Sequence, residues 1–309
     1  MKIVFVGAGG VGGYFGARLA AAGADVALIA RGPHLAAIRG QGLAVESALG
    51  NLRQKIRAEA DPAAIGPVDL VLLAVKLWDV ESTIDQIRPV MGPTTHVVSL
   101  QNGIDSPKML EAAFGPARVL GGVAHIATVI AGPGTIRHTG TLARLTIGAF
   151  GNPQHEKVAA FVAAAKAAGI DAAHSSDIAR SIWEKFVFLS AFSAITAGSR
   201  LAKGVLWRDA TSRALYETLV REAVAAARAE KIDLAPNQVE KTVTQAAALP
   251  DGMKASMLHD LERGAKLELP WLSGAVVRLA AAHGLGAPSH AAIVGLLQPF
   301  AQGTPHVHS

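Results

Sequence analysis

Residues 2–30 read KIVFVGAGGVGGYFGARLAAAGADVALIA: an apolar run, a glycine-rich turn, a helical pattern from about Gly12 to Ala22, then Gly23 and a second apolar run. Few folds accept that pattern. A short, continuously apolar run suits a strand buried on both faces, and strand, helix and strand in succession build a parallel sheet with helices on its faces. GAGGVG at 7–12 satisfies G-x-G-x-x-G directly after the strand and opens the helix. Gly7 allows the tight turn, Gly9 lets backbone approach a pyrophosphate, and Gly12 permits close helix–strand packing, while the helix start offers unpaired N–H groups to an anion. Gly7, Ala8, Gly9, Gly10, Val11 and Gly12 are therefore candidate dinucleotide contacts; the plainer alternative is glycines that serve only a tight turn.

A site that prefers NAD places a carboxylate at the end of the second strand, on the ribose 2′-OH. Here that position is Ala30-Arg31, and no carboxylate follows until Glu46. A guanidinium suits a 2′-phosphate because its planar fork pairs with phosphate oxygens, so the predicted cofactor is NADP, with a solvated surface arginine as the alternative.

Further strands are predicted at VDLVLLAV (68–75) and HVVSL (96–100), each followed by a helical segment. GLAVES and LRQKIR, within 42–57, read as extended, before the break DPAAIGP. After residue 117, ARVLGGVAHIATVI, GTIRHT and ARLTIG read as strand-like pieces of an antiparallel extension that closes the first domain. From Asp177 the pattern turns helical, over 177–198, 211–231, 237–248, 253–265, 271–283 and 288–300. The expectation is α/β: a Rossmann-like doubly wound parallel sheet over 1–176, then an all-α domain over 177–309. Asp177 is the expected N-cap of the first of these helices, Gly198 its stop, and Pro270 a first helical position. The tail TPHVHS is expected to be disordered.

Composition narrows the function classes. A chain of 309 residues without cysteine has no disulfide or thiolate chemistry and suits a reducing cytoplasm. The net charge of +5 is thinly spread, with no basic run for nucleic acid, and favours an anionic small molecule. VLGGVAHIATVIAGPGTI at 119–136 is too broken by glycine and proline for a membrane span, and the glycines of the first seventeen residues argue against a signal peptide. Eleven histidines show no metal-ligand spacing on a credible helix face, and His125, His138 and His259 read as loop or packing residues.

Strand ends in open α/β sheets deliver side chains into the cofactor crevice. VLLAVK ends in Lys76, and VVSLQNG ends in Gln101-Asn102-Gly103. With Arg31, and with RGPHLAAIRGQGL, GPGTIRHTG, IWEK and SMLHDLERGAKLE in order, the chain resembles the ketopantoate reductase family, the 2-dehydropantoate 2-reductases, over nearly its whole length. The resemblance implies NADPH-dependent reduction of a 2-oxo acid to its 2-hydroxy acid, a step of pantothenate biosynthesis, with Lys185 as proton donor. It also implies that Lys76 and Asn102 lie near the cofactor, with Asn102 in reach of substrate. Ser256 matches a substrate-side serine, and Glu268 a glutamate grouped with the cofactor contacts. Related proteins and the apolar helical half together suggest a homodimer.

Read from the residues alone, alternatives stand beside each role. Lys185 can snorkel at a helix surface with Glu184 as a solvated neighbour; Lys76 can end a strand at the surface; Gln101-Asn102-Gly103 can simply build a turn. Ser256 reads equally as an N-cap or a buried hydroxyl, and Glu268 as a surface charge before Pro270. If Lys185 and Glu268 do pair in a partly dry site, burial lowers the lysine pKa and the carboxylate opposes it.

One departure bears on substrate. Where the family commonly presents asparagines toward substrate, this chain has Leu189 and Ser193, on the Lys185 helix, and Lys203 in the following loop. The expectation is a changed wall beside Lys185 and reductase chemistry on a related acid, with Lys203 as a new carboxylate contact or a solvated loop residue. A dehydrogenase of 3-hydroxy or amino-acid-derived substrates and a non-catalytic NADP-binding sensor are the rival readings.

Overall fold

The computed structural model describes residues 1–152 and 154–305. The chain divides into two compact units, Met1–Gln101 with Asp105–Ser181, and Asn102–Ile104 with the residues from Ile182 onward. The first holds β1 (Lys2–Val6), α1 (Gly10–Ala21), β2 (Asp25–Ile29), α2 (Gly32–Gln41), β3 (Leu43–Glu46), β4 (Leu52–Gln54), β5 (Arg57–Glu59), β6 (Val68–Leu73), α3 (Val80–Ile87), β7 (Met91–Ser99), α4 (Ser106–Phe114), β8 (Val119–Gly132), β9 (Thr135–Ala149), α5 (Glu156–Ala167) and β10 (Asp171–His174).

Its strands form one sheet in the order β4-β3-β9-β8-β7-β6-β1-β2-β5, with β10 paired to β9. From β5 to β8 all neighbours are parallel, and the chain leaves β1 first toward β2 and later toward β6. That reversal is the switch point at which doubly wound sheets open a crevice at the strand ends. Ile3, Phe5 and Leu72 on one face and Val4 and Val71 on the other are essentially sealed from solvent, so these strands are covered on both faces and can be apolar throughout.

The three pieces expected after residue 117 are two long strands, β8 and β9, in an antiparallel hairpin. TIRHT and ARLTIG belong to a single strand, which runs through Gly140 at φ +79°. β5, β10 and α5 complete the unit beyond what the sequence pattern indicated.

The second unit is helical: α6 (Ile178–Ser199), α7 (Lys203–Arg208), α8 (Ala210–Ala229), α9 (Gln238–Ala247), α10 (Ser256–Glu262), α11 (Ser273–Ala282) and α12 (Pro288–Leu297), the first turn of α6 lying before the division. The Arg180 N–H donates to Asp177 Oδ1 at 3.0 Å, an N-cap bond. Two expected boundaries move. α6 passes through Gly198 and ends where Arg200 adopts φ 60°, and Pro270 lies in a 3₁₀ turn, Leu269–Trp271, ahead of α11. Residues 306–309 of TPHVHS lie outside the described residues. No helix among the described residues is long and apolar enough to cross a membrane.

Candidate active site

The glycine turn is built by its neighbours. Gly7 and Ala8 N–H groups donate to the Ile29 carbonyl at the end of β2 (3.1 and 3.2 Å), and the Ala74 N–H, just past β6, donates to Val6 (2.8 Å). Gly7 stands at φ +98°, where L side chains are strained, and a Cβ there would lie 3.0 Å from the Ala74 and Val75 backbone. A Cβ on Gly12 would fall 2.1 Å from the Gly7 carbonyl oxygen. At Gly9, by contrast, an added Cβ meets nothing within 4 Å, and this N-cap of α1 makes no side-chain capping bond. With a glycine as N-cap, no capping side chain occupies the first amides of α1, so the turn fits the pyrophosphate of a dinucleotide.

Arg31 is the exposed N-cap residue of α2, and its guanidinium donates to Gln86 Oε1 at 2.6 Å. Lys76 follows β6 as the N-cap of a 3₁₀ turn, with its ammonium 5.4 Å from the Trp78 ring centre. Gln101 closes the end of β7: its amide donates to the Leu73 and Val75 carbonyls (2.8 and 3.2 Å), and its Oε1 accepts from the Ser99 and Ser106 hydroxyls (3.0 and 2.8 Å). One amide side chain thus fixes the two strand ends to each other.

Within the helical unit, Lys185, Glu268 and Asn102 interact. Lys185 is half buried on α6, and burial pulls its pKa down to about 8, with the Glu268 carboxylate opposing the shift. Glu268 is only 3% exposed, so it is not the surface charge its place before Pro270 allowed. Asn102 Nδ2 donates to Glu268 Oε2 at 3.4 Å, and the turn it occupies is completed by Gly103 at φ +94°. The half-buried cation and the buried anion offset each other's desolvation, and the amide supplies a further donor to the carboxylate.

The expected neighbours of Lys185 divide. Leu189 is half buried and packs on the helical core. Ser193 is fully buried and its hydroxyl has no hydrogen-bond partner among the described residues, so it sits inside the core rather than on a wall open to substrate. The reason is that α6 is enclosed on nearly every side from Phe186 to Ala197, which removes the polar face an i+8 spacing suggested. Lys203 is neither loop-borne nor solvated. It opens α7, 6% exposed, with Nζ 3.2 Å from Asp251 Oδ1 and 5.8 Å from the Trp207 ring centre. Ser256 is neither cap nor buried: it is exposed at the first position of α10, after the N-cap Ala255.

His138 is a packing residue inside β9, bonded at Nδ1 to the Ser47 hydroxyl (2.8 Å) and at Nε2 to the Leu142 carbonyl (3.1 Å). His125 lies in β8 and His259 on the exposed side of α10, neither in a loop. Among the described residues no group of His, Asp and Glu is placed to hold a metal. Sequence reasoning missed His34, which bridges the glycine turn and the β8–β9 hairpin, because its partners lie 26 and 100 residues away.

A Rossmann-type unit is followed by a helical unit that carries a lysine–glutamate pair. Residues 3–152 match the model of the family described as Ketopantoate reductase PanE/ApbA, and residues 177–301 match that of its C-terminal part. The 2-dehydropantoate 2-reductase of Mesorhizobium japonicum is 33% identical, with 97% of this chain and 98% of that protein covered. Among solved structures, a PanE/ApbA family ketopantoate reductase from Ralstonia eutropha JMP134 superposes with a TM-score of 0.89 at 32% identity, covering 97% of this chain and 98% of that one. A 2-dehydropantoate 2-reductase from Geobacter metallireducens GS-15 does so at 0.90 and 30%, covering 96% and 99%. The chain belongs to the ketopantoate reductase family, whose members are NAD(P)H-dependent oxidoreductases.

Proposed function

We propose that this chain is an NADPH-dependent reductase that converts a 2-oxo acid to the 2-hydroxy acid, with Lys185 as proton donor. The observation that carries the reading is Lys185 itself, half buried, with its pKa lowered to about 8 and opposed by Glu268. The turn Gly7–Gly12, Arg31 and Lys76 are the residues that would hold the dinucleotide, Arg31 through its 2′-phosphate. Bound there, the nicotinamide supplies a hydride to the carbonyl carbon.

Lys185 then gives a proton from Nζ to the carbonyl oxygen, which takes up the electron pair of the C=O π bond. A cation at that oxygen stabilises the developing alkoxide more than the neutral ketone, and so lowers the barrier. The lowered pKa suits a proton donor, because the ammonium is charged at neutral pH yet more acidic than that of a solvated lysine. Glu268 keeps the ammonium charged, and Asn102 donates a hydrogen bond to the same carboxylate.

The relatives named above reduce 2-dehydropantoate, and the reading extends to a more apolar acid. Leu189 offers no amide, Ser193 is sealed in the core, and Lys203 is engaged by Asp251. A site with fewer partners for a substrate hydroxyl selects one less well. The test is NADPH oxidation with ketopantoate and with a panel of bulkier, more apolar 2-oxo acids. Clear preference for ketopantoate overturns the altered specificity, and tight NADPH binding without turnover of any 2-oxo acid overturns the reductase in favour of a sensor.

A further inference from the structure

His34 stands between the glycine turn and the tip of the β8–β9 hairpin. Its Nδ1 accepts the Gly134 N–H at 3.0 Å, so the ring hydrogen resides on Nε2, which donates to the Ala8 carbonyl at 2.8 Å. The hairpin tip has little freedom to shift. Gly134 sits at φ +72°, and a Cβ there would lie 2.9 Å from the Ala37 side chain on α2. The same hairpin presses on α1, where a Cβ on Gly10 would meet Thr128 at 2.6 Å and one on Gly13 would meet Ile136 at 2.8 Å.

In a planar trans peptide the carbonyl and the following N–H point in opposite directions. Holding the Ala8 carbonyl toward α2 therefore turns the Gly9 N–H away from it. We infer that His34 is a positioning residue of the dinucleotide-binding turn: anchored by Gly134, it fixes the Ala8–Gly9 peptide plane and with it the amide offered to the pyrophosphate. The inference rests on the reading of GAGGVG as a dinucleotide turn, and it assigns the hairpin tip to cofactor affinity.

The experiment measures NADPH affinity by calorimetry, with steady-state kinetics, for the wild type and for His34→Ala, His34→Gln and His34→Asn. Glutamine can place an N–H near the Nε2 position and keep the bond to Ala8, whereas asparagine reaches only the hairpin. The expected result is a Kd raised about tenfold or more in the alanine and asparagine proteins, with kcat falling by a smaller factor, and recovery in the glutamine protein to within about threefold. If the alanine protein does not fold, the ratio between glutamine and asparagine decides alone. A wild type that binds NADPH, with variants that bind within about twofold of it, or with glutamine no better than asparagine, overturns the inference. A wild type that binds neither NADPH nor NADH overturns the reading of the turn itself.

Discussion

Asn102 and Glu268, 166 residues apart in sequence, meet through a 3.4 Å hydrogen bond, and that carboxylate is the group opposing the loss of charge on half-buried Lys185. The link places a second side chain on the carboxylate that acts on Lys185. Burial has lowered the pKa to about 8, so Lys185 is charged below that pH and neutral above it. Reduction needs the charged form. The kcat/KM for the oxo acid is expected to be level up to about pH 8 and then to fall about tenfold per unit, whereas oxidation of the hydroxy acid, which needs the neutral amine, rises as pH approaches 8 and is level above it.

Glu268→Gln removes the opposing charge and leaves burial in place. The alkaline limb of the reductive profile is expected to move at least about one unit toward lower pH, with a smaller rate at neutral pH. A limb that stays in place would show that Glu268 does not set the charge on Lys185.

Gly9→Ala and Gly12→Ala separate binding from folding. Gly9, at φ −72°, accepts a methyl into open space, so thermal stability is expected near wild type while NADPH affinity falls about tenfold or more. Gly12→Ala drives a methyl into the Gly7 carbonyl and is expected to lower thermal stability sharply. Calorimetry and thermal melts on both proteins check the pair.

Arg31→Ala is expected to raise the KM for NADPH about tenfold or more and to leave that for NADH nearly unchanged, because only NADPH carries the 2′-phosphate. Equal effects on both cofactors would assign Arg31 to the fold, through its bond to Gln86.

The helical unit contains a separate acid-sensitive point. His290 is fully buried, with its ring bonded to the Ser273 hydroxyl and the Leu219 carbonyl, and burial lowers its pKa to about 4. Below about pH 6.5 the unfolded chain takes up a proton that the folded chain refuses until about pH 4. Stability is therefore lost as pH falls through that window, by up to about 1.4 kcal/mol per unit from this residue. Urea midpoints for His290→Asn should show a flatter dependence than wild type over the same range.

Much of this was legible in the sequence where local pattern and tertiary demand agree. KIVFVGAGG declares its strand and turn because every residue type there serves the same element. β5 escaped notice because Arg57, Ala58 and Glu59 carry no apolar run, and only pairing with β2 makes them a strand. β9 looked divided because Gly140 reads as punctuation. Periodicity puts Ser193 on the Lys185 side of α6, yet a helix enclosed by neighbours buries that side as well. Glu268 entered only through the family resemblance and His34 not at all, because the surroundings that give them meaning are supplied by distant segments.

Whether Lys185 delivers the proton in a hydride reduction is tested most directly by single-turnover NADPH oxidation. Wild type and Lys185→Ala, each preloaded with NADPH, are mixed with the panel of 2-oxo acids and followed by nicotinamide absorbance. The expected result is rapid oxidation by at least one acid in wild type, slowed about 100-fold or more in the variant, with NADPH affinity within about threefold. Undiminished oxidation in Lys185→Ala, or no oxidation by any acid in a wild type that binds NADPH, would contradict the assignment of Lys185 as proton donor.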